Sequence, residues 1–162
     1  MKWSVQQLNK LTIKPYHFEV SLDFSEYAEK VEDIISIEEV KVTGVITKIE
    51  NDTFQFKYRI IAPLVLECGL TLEPVEYVFD QEYDDIFSKT ESDDVFLIEN
   101  NTIDFSEVVW SNIIIDKPLT VQHPNAYEIL ESRGIVLGEM PELDEDEEII
   151  YEDDGTKVEE NK

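Results

Sequence analysis

FQFKYRIIAPLVLE, Phe54 to Glu67, alternates without a slip. Phe54, Phe56, Tyr58, Ile60, Ala62, Leu64 and Leu66 take every second position, and Gln55, Lys57, Arg59, Ile61, Pro63, Val65 and Glu67 stand between them. Strand side chains point to opposite faces with a period of two, so the first set lines one face of a long strand. Pro63 has no N–H to give a ladder, which predicts an edge position or a bulge at that point.

The same period extends to both sides. Upstream, Val40, Val42, Gly44 and Ile46 alternate with Glu39, Lys41, Thr43 and Val45, and Asn51 with Asp52 supplies a turn. Downstream, LECGLTLEPV reads as a turn, after which Val75, Tyr77, Phe79 and Tyr83 alternate with Glu76, Asp80, Glu82 and Asp84. The outer face of that strand is almost wholly acidic. Tyr16, Phe18, Val20 and Leu22 predict an earlier strand, and Val95 to Ile98 a short late one, closed by Glu-Asn-Asn.

Helices are fewer. Ser4 is a candidate N-cap for a short helix to Lys10, anchored by Trp3, Leu8 and Leu11. Phe24 to Ile34 reads as a loop or a short helix, with Ala28, Val31 and Ile35 at roughly helical spacing. Asp104 and Glu107 form a capping-box-like start for a helix through Val108, Val109, Trp110, Ile113 and Ile114, which Pro118 ends. Its broad apolar surface must pack on the sheet or on a partner.

The expected fold is therefore α+β: an antiparallel, strongly twisted or barrel-like β-sheet with a few packing helices over residues 1–138. A hydrophobic share of 42%, with eight Phe, seven Tyr and two Trp in 162 residues, is enough to build one core. Residues 139–162 differ. Twelve acids against two lysines give 2 − 12 = −10, and such a segment is expected to remain a disordered acidic tail. Ile149, Ile150 and Tyr151 within it are read as incidental rather than as a docking motif.

Charge narrows function. Asp and Glu total 38 against 13 Lys and Arg, a net −25. Between Ile60 and Asp116 there are fourteen acids and one base, Lys89. Phosphate is repelled by such a chain at long range, and nucleic-acid binding needs clustered Lys and Arg. A basic protein is the better-matched partner. The N-terminal MKWSVQQLNKL lacks an apolar signal core, and no run reaches the roughly 18 apolar residues of a membrane span. The expected location is cytoplasmic, without a membrane partner.

Chemistry finds little support. One cysteine, Cys68, excludes an internal disulfide. Neither His17, opposite the apolar face of its strand, nor His123 is spaced to pair with Cys68 as a base. One Cys and two scattered His do not make a zinc set. No D-x-D-x-D-G loop, GxxxxGK[ST] or GxGxxG occurs. No catalytic residue, metal or cofactor is assigned, and the protein is not read as an enzyme.

The segment C-G-L-T-L-E-P-V, Cys68 to Val75, resembles the C-x-x-C-L-E-P-V turn of the YceD family, the large ribosomal RNA subunit accumulation proteins of bacteria and plastids. As in that family, it follows one alternating strand and precedes another. V-x-G-x-I at Val42, Gly44 and Ile46 and the helix VVWSNIIIDKPL are also similar, so the resemblance runs from Trp3 to His123. The family's second motif cysteine falls at Thr71, and the D-P-R segment of many relatives is missing. A metal held by those cysteines would therefore have lost its site here, leaving Cys68 as a small filler continuing the series of Leu64 and Leu66.

The resemblance implies a non-enzymatic ribosome-biogenesis factor that supports accumulation of large-subunit (23S) rRNA. With the charge, it implies binding of a basic large-subunit ribosomal protein, rRNA contact being indirect or weak. Candidate contacts are Glu67, Glu73, Glu76, Asp80 and Glu82, with the family turn at Cys68, Leu72, Glu73, Pro74 and Val75. The alternative is a direct rRNA-binding protein using a β-sheet face, where Tyr58 lies between Lys57 and Arg59. Tyr58 belongs to the inward series, which counts against it.

Overall fold

A computed structural model describes residues 1–135. The chain divides into two units, Met1–His123 and Pro124–Lys162. The expected boundary between residues 138 and 139, and the acidic tail, lie outside the described residues.

The first unit is built on two 15-residue strands, β5 (Thr53–Glu67) and β6 (Pro74–Ser88). They pair antiparallel without a register shift, from Thr53 opposite Ser88 to Glu67 opposite Pro74. The period-two reading holds: Phe54, Phe56, Tyr58, Ile60, Ala62, Leu64 and Leu66 are all buried. On the other edge of β5 lie β4 (Val40–Glu50) and β3 (Ile34–Ile37) in succession, and β2 (Tyr16–Leu22) pairs β4. A short β7 (Phe96–Leu97) runs parallel to the end of β6. The order β2-β4-β5-β6-β7 is open, so the barrel-like form of the expectation gives way to an open sheet.

Pro63 corrects its expectation. It sits in an interior strand, and β5 has no bulge against β6. Its position is where the neighbour changes: Ile61 faces Lys41 of β4, Leu64 faces Ile37 of β3, and the Glu38 N–H reaches the Pro63 carbonyl at 3.0 Å. The missing N–H falls at a break in the neighbouring chain, where the ladder loses little.

The inner face is closed by α3 (Phe105–Asp116) and by the pairing of β1 (Lys2–Ser4) with β8 (Thr102–Asp104). Asp104 caps α3, its Oδ1 accepting the Glu107 N–H at 3.3 Å. Phe105, Val109 and Ile113, one helical stripe, are fully buried. Phe105 meets Trp3 at 5.4 Å, Phe18 at 5.6 Å, Phe56 at 5.4 Å and Tyr58 at 5.0 Å between ring centroids. Lys117, at the end of α3, pairs with Asp33 at 2.7 Å with its side chain only 8% exposed.

Ser4 caps α1 (Val5–Leu11) in a full capping box with Gln7. Trp3 and Leu8 are buried as expected, but Leu11 is exposed; Val5 takes the anchoring place, one turn before Leu8. The Phe24–Ile34 stretch holds a single helical turn, α2 (Ser25–Ala28), and the spacing to Ile35 is not helical. Ile34 already enters β3, leaving Ile35 exposed. In the second unit α4 (Ala126–Ser132) ends at Gly134, whose φ of 81° is the left-handed helix stop that glycine adopts without strain.

Candidate partner-binding site

The β5–β6 turn is a compact loop. The Cys68 N–H donates to the Glu73 carbonyl at 2.8 Å, the Leu72 N–H to the Cys68 carbonyl at 2.9 Å, and the Glu73 N–H to Thr71 Oγ1 at 3.1 Å. Leu72 takes a left-handed φ of 63°. Gly69 donates to the Val121 carbonyl at 2.8 Å, tying the loop to the segment after α3.

Cys68 is wholly buried, as its place after Leu64 and Leu66 predicts. Its sulfur also accepts N–H groups from Leu70 at 3.3 Å, Thr71 at 3.4 Å and His123 at 3.3 Å. Burial pushes the thiol up. The His123 amide, the Thr71 side chain and amide, and the Leu70 amide outweigh it and bring the thiol from 9.0 down to about 7. Cys68 is thus an acceptor at the centre of the turn as well as a filler, which period-two reasoning does not reveal.

Replacing Cys68 by Ala is expected to cost about 1–2 kcal/mol by removing that acceptor. A depressed thiol ionises in the folded protein first, so its stabilisation is complete above the unfolded value and lost as pH falls through the folded one. The wild type's advantage over Cys68→Ala in thermal melts should therefore widen from pH about 7 toward 9. A difference that stays flat across that interval would show that the thiolate is not stabilised.

Of the expected contacts, Glu76, Asp80 and Glu82 are exposed on the outer face of the sheet, whereas Glu67 and Glu73 are half-buried at the turn. Leu72 and Pro74 are exposed and Val75 is half-buried. The outer face is not uniformly acidic, because β5 sets cations opposite: Arg59 faces Glu82 and Lys57 faces Asp84. Arg59 grips Asp80 with two hydrogen bonds, at 2.8 and 2.7 Å, and holds its carboxyl below the usual range. Asp84, outside the expected set, accepts from Gln55 at 2.8 Å. A shallow depression of about 550 Å³ lies among Thr43, Lys57, Arg59, Glu82 and Asp84. Asp80 is thus partly spoken for within the chain, and Glu76 and Glu82 are the more available acids.

Sequence reasoning also missed a polar network beneath the sheet. Tyr58 and Tyr83 stack at 5.4 Å. The Tyr58 hydroxyl donates to Asp85 at 2.6 Å and accepts from Asn112 at 2.8 Å, and Tyr83 donates to Asp116 at 2.5 Å. Burial raises the Asp85 carboxyl above its usual value. Both phenols are also raised, by burial and then by the carboxylate each one meets. This network seats α3 on β5 and β6. Alternation along β6 already puts Asp85 on the inner face with Tyr83, but only the register of the two strands brings it beside Tyr58.

Among the described residues no group of three or more His, Cys, Asp or Glu is placed to hold a metal ion. No helix of the described residues is long and apolar enough to cross a membrane.

The chain is similar to YlbN of Bacillus subtilis (strain 168), a protein named as uncharacterized. Identity is 26% over 159 residues, covering 95% of this chain and 87% of that protein. No protein-family model matches the chain, and no solved structure matches it. The likeness to YlbN extends over nearly the whole length of both proteins and carries no activity with it.

Proposed function

We propose that this chain is a non-enzymatic, cytoplasmic ribosome-biogenesis factor that supports accumulation of large-subunit (23S) rRNA by binding a basic ribosomal protein. The observation that carries this reading is the distribution of charge. The molecule has a net −25, and β6 has five acids and no Lys or Arg from Pro74 to Ser88. Similarity of the Cys68–Val75 turn and the flanking strands to the YceD pattern supplies the ribosomal context. Tyr58, the aromatic that a base-stacking sheet would offer, is 4% exposed and hydrogen-bonded inward. That disfavours direct rRNA binding through this sheet.

The test is a binding assay of the purified protein against basic large-subunit ribosomal proteins and against 23S rRNA fragments, at low and moderate salt. Tight, salt-sensitive binding to a basic protein is expected, since surface charges are screened within about 8 Å at physiological ionic strength. Reversing Glu76 and Glu82 to Lys should weaken it about tenfold, mainly through slower association, with an unchanged melting curve. RNA binding should not fall in this variant. A wild-type protein that binds rRNA tightly and ignores every basic protein would sink the proposal.

A further inference from the structure

β5 borders β6 along its whole length, but β7 borders it only at Phe87 and Ser88. From Pro74 to Ile86 the second edge of β6 carries no strand among the described residues. The pleat determines which groups face that edge. The Ile98 N–H donates to the Ser88 carbonyl at 2.8 Å, so Ser88 turns its backbone toward β7. Backbone groups alternate between the two edges of a strand, and the register runs unbroken from Ser88 to Pro74. Glu76, Val78, Asp80, Glu82, Asp84 and Ile86 therefore direct N–H and C=O to the open edge. Pro63 checks this phase independently. It faces Val78, and its own carbonyl is taken by Glu38 on the far side of β5.

An uncovered strand edge is a template for another strand. We propose that the open edge of β6 binds, by strand addition, an extended segment of a basic protein in which Lys or Arg alternates with apolar residues. Resting on the partner proposed above, this names the mode of contact. Charge selects the occupant. A second copy of β6 at this edge would set acid against acid, and like charges directly opposite destabilise a strand pair. The chain's own Glu139–Lys162 segment, at 2 − 12 = −10, is repelled in the same way. Basic side chains of an added strand would instead stand about 5 Å from Glu76, Asp80, Glu82 and Asp84. Its apolar residues would fall on the inner face, beside the half-buried Tyr77 and Tyr83. Backbone hydrogen bonds supply affinity in this mode and the alternating side chains supply selectivity.

Residue-resolved amide exchange on the full chain tests this, with a peptide of about ten alternating Lys and Val residues as probe. Protection should appear at Glu76, Val78, Asp80, Glu82 and Asp84, while Tyr77, Phe79 and Tyr83, already bonded to β5, stay unchanged. Val78→Pro removes one edge-facing N–H without taking a donor from the β5 ladder. It should lower affinity at least about tenfold, and Val78→Ala should bind as the wild type does. Should Val78→Pro fail to fold, the exchange pattern and the Glu76→Lys, Glu82→Lys variant decide. Absent or non-alternating protection, or wild-type binding by a folded Val78→Pro, overturns the proposal. So does a dimer that Val78→Pro dissolves, or protection of the edge by an rRNA fragment. A basic ribosomal protein that binds without the alternating pattern overturns the edge mode and leaves the proposed function. The pattern with the peptide, and no ribosomal protein bound, does the reverse.

Discussion

Gly44→Val is expected to leave little folded protein. Gly44 lies in β4 between Phe18 of β2 and Tyr58 of β5. A Cβ there would stand 2.4 Å from the Lys57 carbonyl oxygen and 2.6 Å from Tyr58 Cβ. Neither can yield cheaply, because Lys57 and Tyr58 belong to the strand paired on both edges. Overpacking a well-filled core costs about 1–3 kcal/mol. Alanine, whose one added atom meets backbone, belongs at the top of that range, and valine adds two further carbons. For Gly44→Ala we expect a melting temperature lower by about 10 °C. An alanine variant melting within about 2 °C of the wild type would mean that the sheet opens at this point without penalty.

Phe105→Ala should cost about 3–5 kcal/mol. Phe105 is the first residue of α3, fully buried, and its ring touches Trp3 of β1, Phe18 of β2, and Phe56 and Tyr58 of β5. It joins the helix, the small β1–β8 pair and the large sheet. Loss of the ring leaves a cavity that three separate elements would have to move to fill. Domains of this kind have only about 5–15 kcal/mol in total, so a large share of stability is at stake. Denaturant titration reads it directly, with Phe105→Leu as a near-volume-conserving control losing about 1.5 kcal/mol or less. Equal midpoints for the alanine variant and the wild type would show that the aromatic cluster does not hold α3.

The parts of this molecule legible in its sequence are those whose signal is local. Every second residue from Phe54 to Leu66 could be assigned to one face because strand side chains alternate whatever the neighbours are. Ser4 and Asp104 mark helix starts because a cap reaches only to the next turn. Cys68 and Thr71, with no second thiol, argued against the metal turn of the family it resembles. The exposure of Glu76, Asp80 and Glu82 followed from the same alternation.

Tertiary structure decided the rest. β1, β3 and β8 are three or four residues long, too short for any period to show. β1 exists because Lys2 meets Asp104 across the fold, and β3 because Ile34 and Ile37 meet Leu66 and Leu64. Pro63 could be placed in an interior strand only by the break at Glu38, which lies far from it in sequence. Arg59 could be matched to Asp80, and Tyr58 to Asp85, only once the β5–β6 register was set. The edge of β6 that carries no strand among the described residues is likewise a property of what lies beside it in space, not of its own sequence. Alternation is a property of the chain with itself at short range. Pairing, register and uncovered edges depend on which distant segments arrive, and their free energy appears only when both partners are in place.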